Sequence, residues 1–184
     1  MDGKAPRAWR RRALGQEQDF TILRVREDSF EDPRDGSLRA RVRLSAPDWV
    51  NVVALTPSRE ALLVRQFRFG VEACTLEIPG GMVDEGETPL AAAARELEEE
   101  TGFRAARLEF LGAVHPNPAL QSNLCHSYLA LDCEQAARAR PEADEDIELV
   151  RVPAEALLRL VQDGKITHAL VMNALCFAQR AGAL

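Results

Sequence analysis

One stretch constrains this chain more than any other: Gly81-Met-Val-Asp-Glu-Gly-Glu87-Thr-Pro-Leu-Ala-Ala-Ala-Ala-Arg95-Glu96-Leu97-Glu-Glu99-Glu100-Thr-Gly102-Phe103. It reads as a glycine loop, a helix and a glycine stop. Pro89 suits the first helical position, and Thr88 before it can cap the free N–H groups. The alanine run has high helix propensity, and Gly102 is placed as the residue just beyond the C-terminus. Leu90, Ala94, Leu97 and Thr101 fall on one stripe, which predicts packing on a sheet. Glu96, Glu99 and Glu100 fall together on a neighbouring stripe, because positions three and four apart share a helix face. For a plain helix this placement is poor. Negative charge near a C-terminus opposes the macrodipole by ~0.3–1 kcal/mol per residue, and Glu96 and Glu100 repel at i,i+4. A divalent cation reverses that sign, and hard cations such as Mg²⁺ favour carboxylate oxygens. The cluster therefore reads as a metal site, against the bland alternative of a solvated acidic face.

The spacing favours the metal site. Gly-x5-Glu-x7-Arg-Glu-aliphatic-x-Glu-Glu-x-Gly-hydrophobic resembles the Nudix box, and every fixed position is filled. With Gly and Glu each near ~7% of residues, the chance per window is well below one in a million. The resemblance runs from about Phe20 onward. Trp49-Val-Asn-Val-Val-Ala-Leu55, Gln66-Phe-Arg68-Phe-Gly70 and Leu76-Glu-Ile-Pro-Gly-Gly81 look like the ADP-ribose and nucleotide-sugar pyrophosphatase branch. Pro118 occupies the place where that branch has a proline after the box. The sequence departs from Pro-Gly there, with Ala119 following, and its one tyrosine, Tyr128, lies further on in an expected strand.

The resemblance implies water-driven cleavage of a pyrophosphate joining a nucleoside to another moiety. It implies that Glu96, Glu99 and Glu100 hold Mg²⁺ (Mn²⁺ is the alternative), with the Gly80 carbonyl as a further ligand. Glu87 and Arg95 take a supporting role, the arginine holding loop and helix in register. The general base is expected from a late acidic loop, with Glu145 first and Glu142 second; Glu99 completes the candidate catalytic set. Arg68 is a candidate for the diphosphate or the distal sugar, with a structural ion pair as its rival reading. Glu77 is placed at the same substrate end or facing solvent, and Pro118 beside the substrate. Members of the branch are commonly homodimers whose N-terminal strands complete the partner's pocket, a role that falls here on residues 16–45.

The rest of the chain is consistent with a single domain over residues 16–184, preceded by a flexible basic arm, residues 1–15, with five cationic residues around Trp9. A chain of 184 residues at 46% hydrophobic content can bury a proper core. The net charge of −6 argues against general nucleic-acid binding. Cys74, Cys125, Cys133 and Cys176 lack metal-type pairing and read as buried free thiols in a reducing compartment. No apolar stretch is long enough to span a bilayer and no signal-peptide core is present, which makes a soluble cytoplasmic protein the default. His115, His126 and His168 are scattered and read as structural, and no serine or cysteine is set beside a base for covalent catalysis.

Strand patterns are expected at Phe20–Val25, Leu38–Leu44, Trp49–Leu55, Ala61–Phe67, Cys74–Ile78, Ala106–Val114, Leu124–Leu131 and Glu148–Val152. Arg39, Arg41 and Arg43 give the second of these a cationic face. Helices are expected at Pro153–Gln162 and Thr167–Arg180, with a charged loop over Arg138–Asp146. The order predicts an α/β (α+β) fold with helices flanking a mixed sheet, and the resemblance makes it a Nudix-type α/β/α sandwich. Two other functions stay open: a Nudix enzyme acting on a modified nucleoside triphosphate or coenzyme A, and a non-catalytic Nudix-fold module that binds a nucleotide.

Overall fold

A computed structural model describes residues 5–140 and 146–184, which fall into two compact units. The first comprises the chain up to Pro47 together with His115–Asn123; the second comprises Asp48–Val114 and Leu124–Leu184.

The first unit is built on an antiparallel sheet. Its middle strand is β3 (Arg24–Glu31), which pairs along its whole length with β4 (Leu38–Ser45). The other edge of β3 is shared end to end by β1 (Arg10–Ala13) and β2 (Glu17–Asp19). Residues 10–13 are thus a strand where the sequence predicts a flexible arm, and Trp9 sits under the Arg41 guanidinium at 5.1 Å. The strand expected over Phe20–Val25 does not form as such. Asp19 accepts the Thr21 N–H at 2.8 Å, Thr21 takes a positive φ of 69°, and Phe20–Leu23 become the turn between β2 and β3. A side-chain-capped turn outweighs the β-propensity of Phe20 and Ile22, both of which stay exposed. On β4, Arg39 and Arg43 are tied to the buried Asp32 and Asp28, so two of the three arginines of that face have an acidic partner within the unit.

The second unit holds a six-stranded sheet in the order β10-β6-β5-β9-β8, with β7 paired to the far half of β6. These strands are β5 (Trp49–Leu55), β6 (Glu60–Arg68), β7 (Ala73–Glu77), β8 (Phe103–Val114), β9 (Cys125–Gln135) and β10 (Glu148–Pro153). The β5–β9 pairing is parallel and all others are antiparallel, which makes the sheet mixed. Strands alternate their side chains between faces, so β5 serves two cores at once. Val50, Val52 and Ala54 meet α1 (Pro89–Thr101) through Ala92, Ala93 and Leu97. Val53 and Leu55 meet α2 (Leu157–Gln162) and α3 (Ala169–Arg180) through Leu157, Val171, Ala174, Leu175 and Ala178. The result is a sheet covered by helices on both faces.

Helix α1 has the predicted ends. Thr88 Oγ1 accepts the Ala91 N–H at 3.2 Å, Pro89 opens the helix, and Gly102 closes it in the left-handed conformation at φ 77°. Its buried stripe is rotated from the predicted one: Ala92, Ala93, Leu97, Glu100 and Thr101 are buried, while Leu90 and Ala94 are exposed. Two small alanines let the helix approach the sheet closely, so the sheet-facing stripe follows Ala93–Leu97–Glu100 and carries a carboxylate inward. The last predicted helices are shorter than expected. Ala154–Ala156 is a 3-10 turn before α2, and His168 Nδ1 caps α3 by accepting the Leu170 N–H.

Leu97 lies at the centre of the α1 core and is 1% exposed. Leu97→Ala is expected to lower unfolding stability by about 2–5 kcal/mol, as cavity-forming leucine truncations do; a denaturant titration showing less than about 1 kcal/mol would contradict this packing.

Candidate functional site

The box loop is sewn to β5. Val52 N–H donates to the Pro79 carbonyl at 2.8 Å, Val50 N–H to the Gly81 carbonyl at 2.9 Å, and Val83 N–H to the Asp48 carbonyl at 2.9 Å. Glycine is required at this seam. A β-carbon on Gly80 would stand 2.2 Å from the Val50 carbonyl oxygen, and one on Gly81 would stand 2.3 Å from Glu96 Oε1. The Gly80 N–H points the other way, across to the helix, and donates to Glu100 Oε2 at 2.9 Å. Glu100 is only 2% exposed, so this hydrogen bond to a charged acceptor lies in a low-dielectric setting.

Arg95 is the hub of the remaining carboxylates. Its Nε and Nη2 donate to the two Glu87 oxygens at 3.1 and 2.9 Å, and Nη2 also reaches the Met82 carbonyl at 2.9 Å. Nη1 donates to Glu96 Oε1 at 2.9 Å and to Glu99 Oε2 at 3.0 Å. The guanidinium pKa is raised, first by the Glu87 hydrogen bond, and the Glu87 carboxyl is held below its ordinary range by the same contact. One side chain therefore ties the loop to the helix.

Glu96, Glu99, Glu100 and the Gly80 and Gly81 backbone thus lie on one seam between loop and helix. Their oxygens suit a hard divalent cation, and the bare Gly81 Cα lets the Glu96 carboxylate pack directly against the loop, where a β-carbon would collide with it. Among the described residues, no three acidic, histidine or cysteine side chains converge on one point as a finished cation cage. Arg95 engages one oxygen each of Glu96 and Glu99, which holds them near one another without bringing them together.

Arg68 and Glu77 form a two-point ion pair. Arg68 Nε and Nη2 donate to the Glu77 oxygens at 2.9 and 2.8 Å, and Thr75 Oγ1 donates to Glu77 at 2.6 Å. Glu77 is buried rather than facing solvent, which corrects one of its two predicted placements. Burial raises its pKa, but the hydrogen bonds from Arg68 and Thr75 outweigh it and hold the carboxyl below its ordinary value. Pro118 lies in the first unit, where it lines a cleft of about 360 Å³ with Trp9, Phe30, Arg41 and Arg43. Glu142 and Glu145 lie outside the described residues.

Asp48 was not singled out by the sequence. Its side chain accepts the Leu124 N–H at 2.8 Å and bonds His126 Nε2 at 2.9 Å, while its carbonyl takes the Val83 N–H. It joins the box loop to β9, and a lone aspartate before a strand carries no periodic signal by which to find it. Burial, with a smaller contribution from Asp48, pushes the Cys125 thiol up to about 12, and burial pushes Cys133 up to about 11. Neither is a thiolate nucleophile at neutral pH. Cys74 and Cys176 are free and exposed, against the expectation of buried thiols.

With the seam and its clamp in place, the class is defined: the chain belongs to the NUDIX domain family, which matches residues 47–174. It is 32% identical over 177 residues to the ADP-ribose pyrophosphatase of Bacillus subtilis (strain 168), covering 94% of this chain and 95% of that protein. It is 28% identical over 176 residues to the methanol dehydrogenase activator of Bacillus methanolicus, again covering 94% and 95%. The solved structure of an ADP compounds hydrolase superposes with a TM-score of 0.85 at 24% identity, over 99% of this chain and 100% of that one. The α/β/α arrangement of the second unit is that of the family.

The Arg68–Glu77 pair gives a pH signature. In the native protein Glu77 contributes stability that is present above its unfolded pKa, near ~4.3, and is lost as pH falls through the lower folded value. Arg68→Ala leaves burial opposed only by the Thr75 hydrogen bond and His168; the folded value rises and this contribution weakens. The variant is expected to lose about 1–3 kcal/mol at pH 7, with the deficit shrinking as pH falls toward 4. A deficit that is constant with pH in paired denaturation curves would show that Glu77 does not depend on Arg68 for its charge.

Proposed function

We propose that this chain is a divalent-metal-dependent hydrolase that cleaves the pyrophosphate of ADP-ribose or a nucleoside diphosphate sugar, giving a nucleoside monophosphate and a sugar phosphate. The observation that carries the reading is the carboxylate seam: Arg95 restrains Glu87, Glu96 and Glu99 while Gly80 restrains the buried Glu100. The full-length similarity to an ADP-ribose pyrophosphatase supports the substrate class.

In this reading Glu96, Glu99 and Glu100, with the Gly80 carbonyl, hold Mg²⁺ or Mn²⁺. A cation held there would supply charge neutralisation of the diphosphate and of the leaving phosphate and would favour deprotonation of water. The protein's own contribution is positional. Arg95 keeps like-charged glutamates from splaying apart, and its hold on Glu87 and the Met82 carbonyl keeps the loop closed on the helix. Glu145, or Glu142 in its place, takes the proton of the attacking water, and Glu99 borders the same reacting centre. Arg68, oriented by Glu77, contacts the diphosphate or distal sugar, and Pro118 borders the substrate.

The reading extends to a homodimer in which residues 16–45 complete the partner's pocket, around a single catalytic domain spanning residues 16–184. It also extends to a cytoplasmic location and to small-molecule rather than nucleic-acid or membrane partners. Among the described residues no helix is long and apolar enough to cross a membrane. A sedimentation experiment at micromolar concentration that returned only the 20.3 kDa chain would remove the dimer.

Release of monophosphate plus sugar phosphate from ADP-ribose and nucleoside diphosphate sugars, with Mg²⁺ and with EDTA, is the direct test. Glu99→Gln and Glu100→Gln should each reduce kcat by at least about a hundredfold, since each removes a charge from the cation site, while unfolding stays cooperative. Unchanged kcat in both variants would place the metal elsewhere. Pyrophosphate release from nucleoside triphosphates alone would sink the diphosphate-sugar reading.

A further inference from the structure

A second cleft, of about 570 Å³, opens beside the carboxyl end of α1 and is lined by Arg95, Glu98, Glu99, Arg104, Ala137, Arg138 and Arg140. Four arginines face two glutamates there, in a chain whose net charge is −6. Both glutamates are already engaged. Glu98 takes a two-point pair from Arg104 at 2.6 and 2.7 Å, and Glu99 takes Arg95 Nη1 at 3.0 Å. Among the described residues Arg138 and Arg140 have no carboxylate within ion-pair distance. Their backbone is nonetheless anchored: Arg140 N–H donates to the Glu99 carbonyl at 2.7 Å, and the Ala136 and Ala137 N–H groups donate to the Gly102 carbonyl at 2.9 and 3.1 Å.

We propose that Arg138 and Arg140 form an anion subsite for a phosphoryl group, next to the carboxylate seam and joined to it through Arg95 and Glu99. The planar guanidinium fork suits phosphate oxygens, and a cleft of this size suits a small ligand rather than a macromolecule. The ligand chemistry has two sources, the diphosphate of an incoming substrate and a phosphate released by its cleavage. The second source rests on the hydrolase reading above; phosphoryl binding itself does not. The rival account is that the two arginines only offset the negative carboxyl end of α1.

The test is binding of inorganic phosphate to the full chain in EDTA, by calorimetry, for the native protein and for R138Q/R140Q. Both positions are exposed, so the double variant is expected to melt within a few degrees of the native protein. The subsite requires saturable binding that weakens roughly tenfold or more in the double variant, and weakens in R138K/R140K, which restores charge without the fork. Binding absent from the native protein, or equal in all three, overturns the proposal. So does native-like binding in R138K/R140K, which would show that positive charge alone, without the guanidinium fork, accounts for the binding. With ADP-ribose as substrate, a raised KM in R138Q/R140Q assigns the site to the substrate's diphosphate, whereas an unchanged KM with loss of inhibition by added phosphate assigns it to the released group. Phosphate binding that depends on the arginines in a chain with no turnover would retire the hydrolase reading and leave the subsite standing.

Discussion

The Arg95 guanidinium is the contact on which the rest of the site depends. Four acidic groups, Glu87, Glu96, Glu99 and Glu100, crowd the loop and one helical stripe, and their mutual repulsion would pull the loop away from the helix. Arg95 meets three of them and the Met82 carbonyl at once. A lysine would offer three donors from a single point, whereas the arginine fork spreads its donors along two directions. The fork therefore sets the spacing of the carboxylates as well as their charge balance. Gly81 belongs to the same arrangement, since a side chain there would occupy the space Glu96 uses.

The rigidity behind that clamp comes from β5. Its side chains are committed to both cores, and its backbone N–H groups hold the loop carbonyls at Pro79 and Gly81. The loop is thus an extra half-strand on a largely buried neighbour. Asp48, at the start of β5, fixes the same loop to β9 from the other side. A glycine-rich segment, which by itself would lose much entropy on ordering, is held by hydrogen bonds to β5 and through Asp48 to β9.

Sequence periodicity revealed most of this frame because the decisive signals were local. Thr88, Pro89 and Gly102 mark helix ends by backbone chemistry that needs no tertiary partner, and the apolar run of β5 identifies a doubly buried strand. The rotated face of α1 was not legible, because Ala92, Ala93 and Ala94 carry the same side chain and only the sheet decides which of them are covered. The turn at Phe20–Leu23 was hidden for a similar reason: a single Asp19 hydrogen bond overrides an apolar pattern. That Arg95 meets a carboxylate could be read from the box, but Glu87 as its two-point partner could not, since the pair joins a loop to a helix. Arg68 with Glu77 could be named but not joined, since the pair forms across two strands whose register the sequence does not encode. Asp48 and the Arg138–Arg140 cleft depend on contacts between distant segments and had no signature.

Two buried carboxylates flank the short passage through Ile78, Pro79 and Gly80, and their placement bears on why the chain keeps them. Glu77 is held by Arg68 and Thr75, and Glu100 receives the Gly80 N–H. Taking each charge out of water costs several kcal/mol, and a well-packed apolar replacement for such a group is often as stable or more so. Stability alone therefore gives no reason for two such groups within one turn of chain. What each supplies is direction: a charged acceptor fixes the Gly80 N–H on one side of the passage, and a second fixes the Arg68 fork on the other. Both constraints act at the entrance to the box loop, so the cost in burial is spent where the orientation of the carboxylate seam is set.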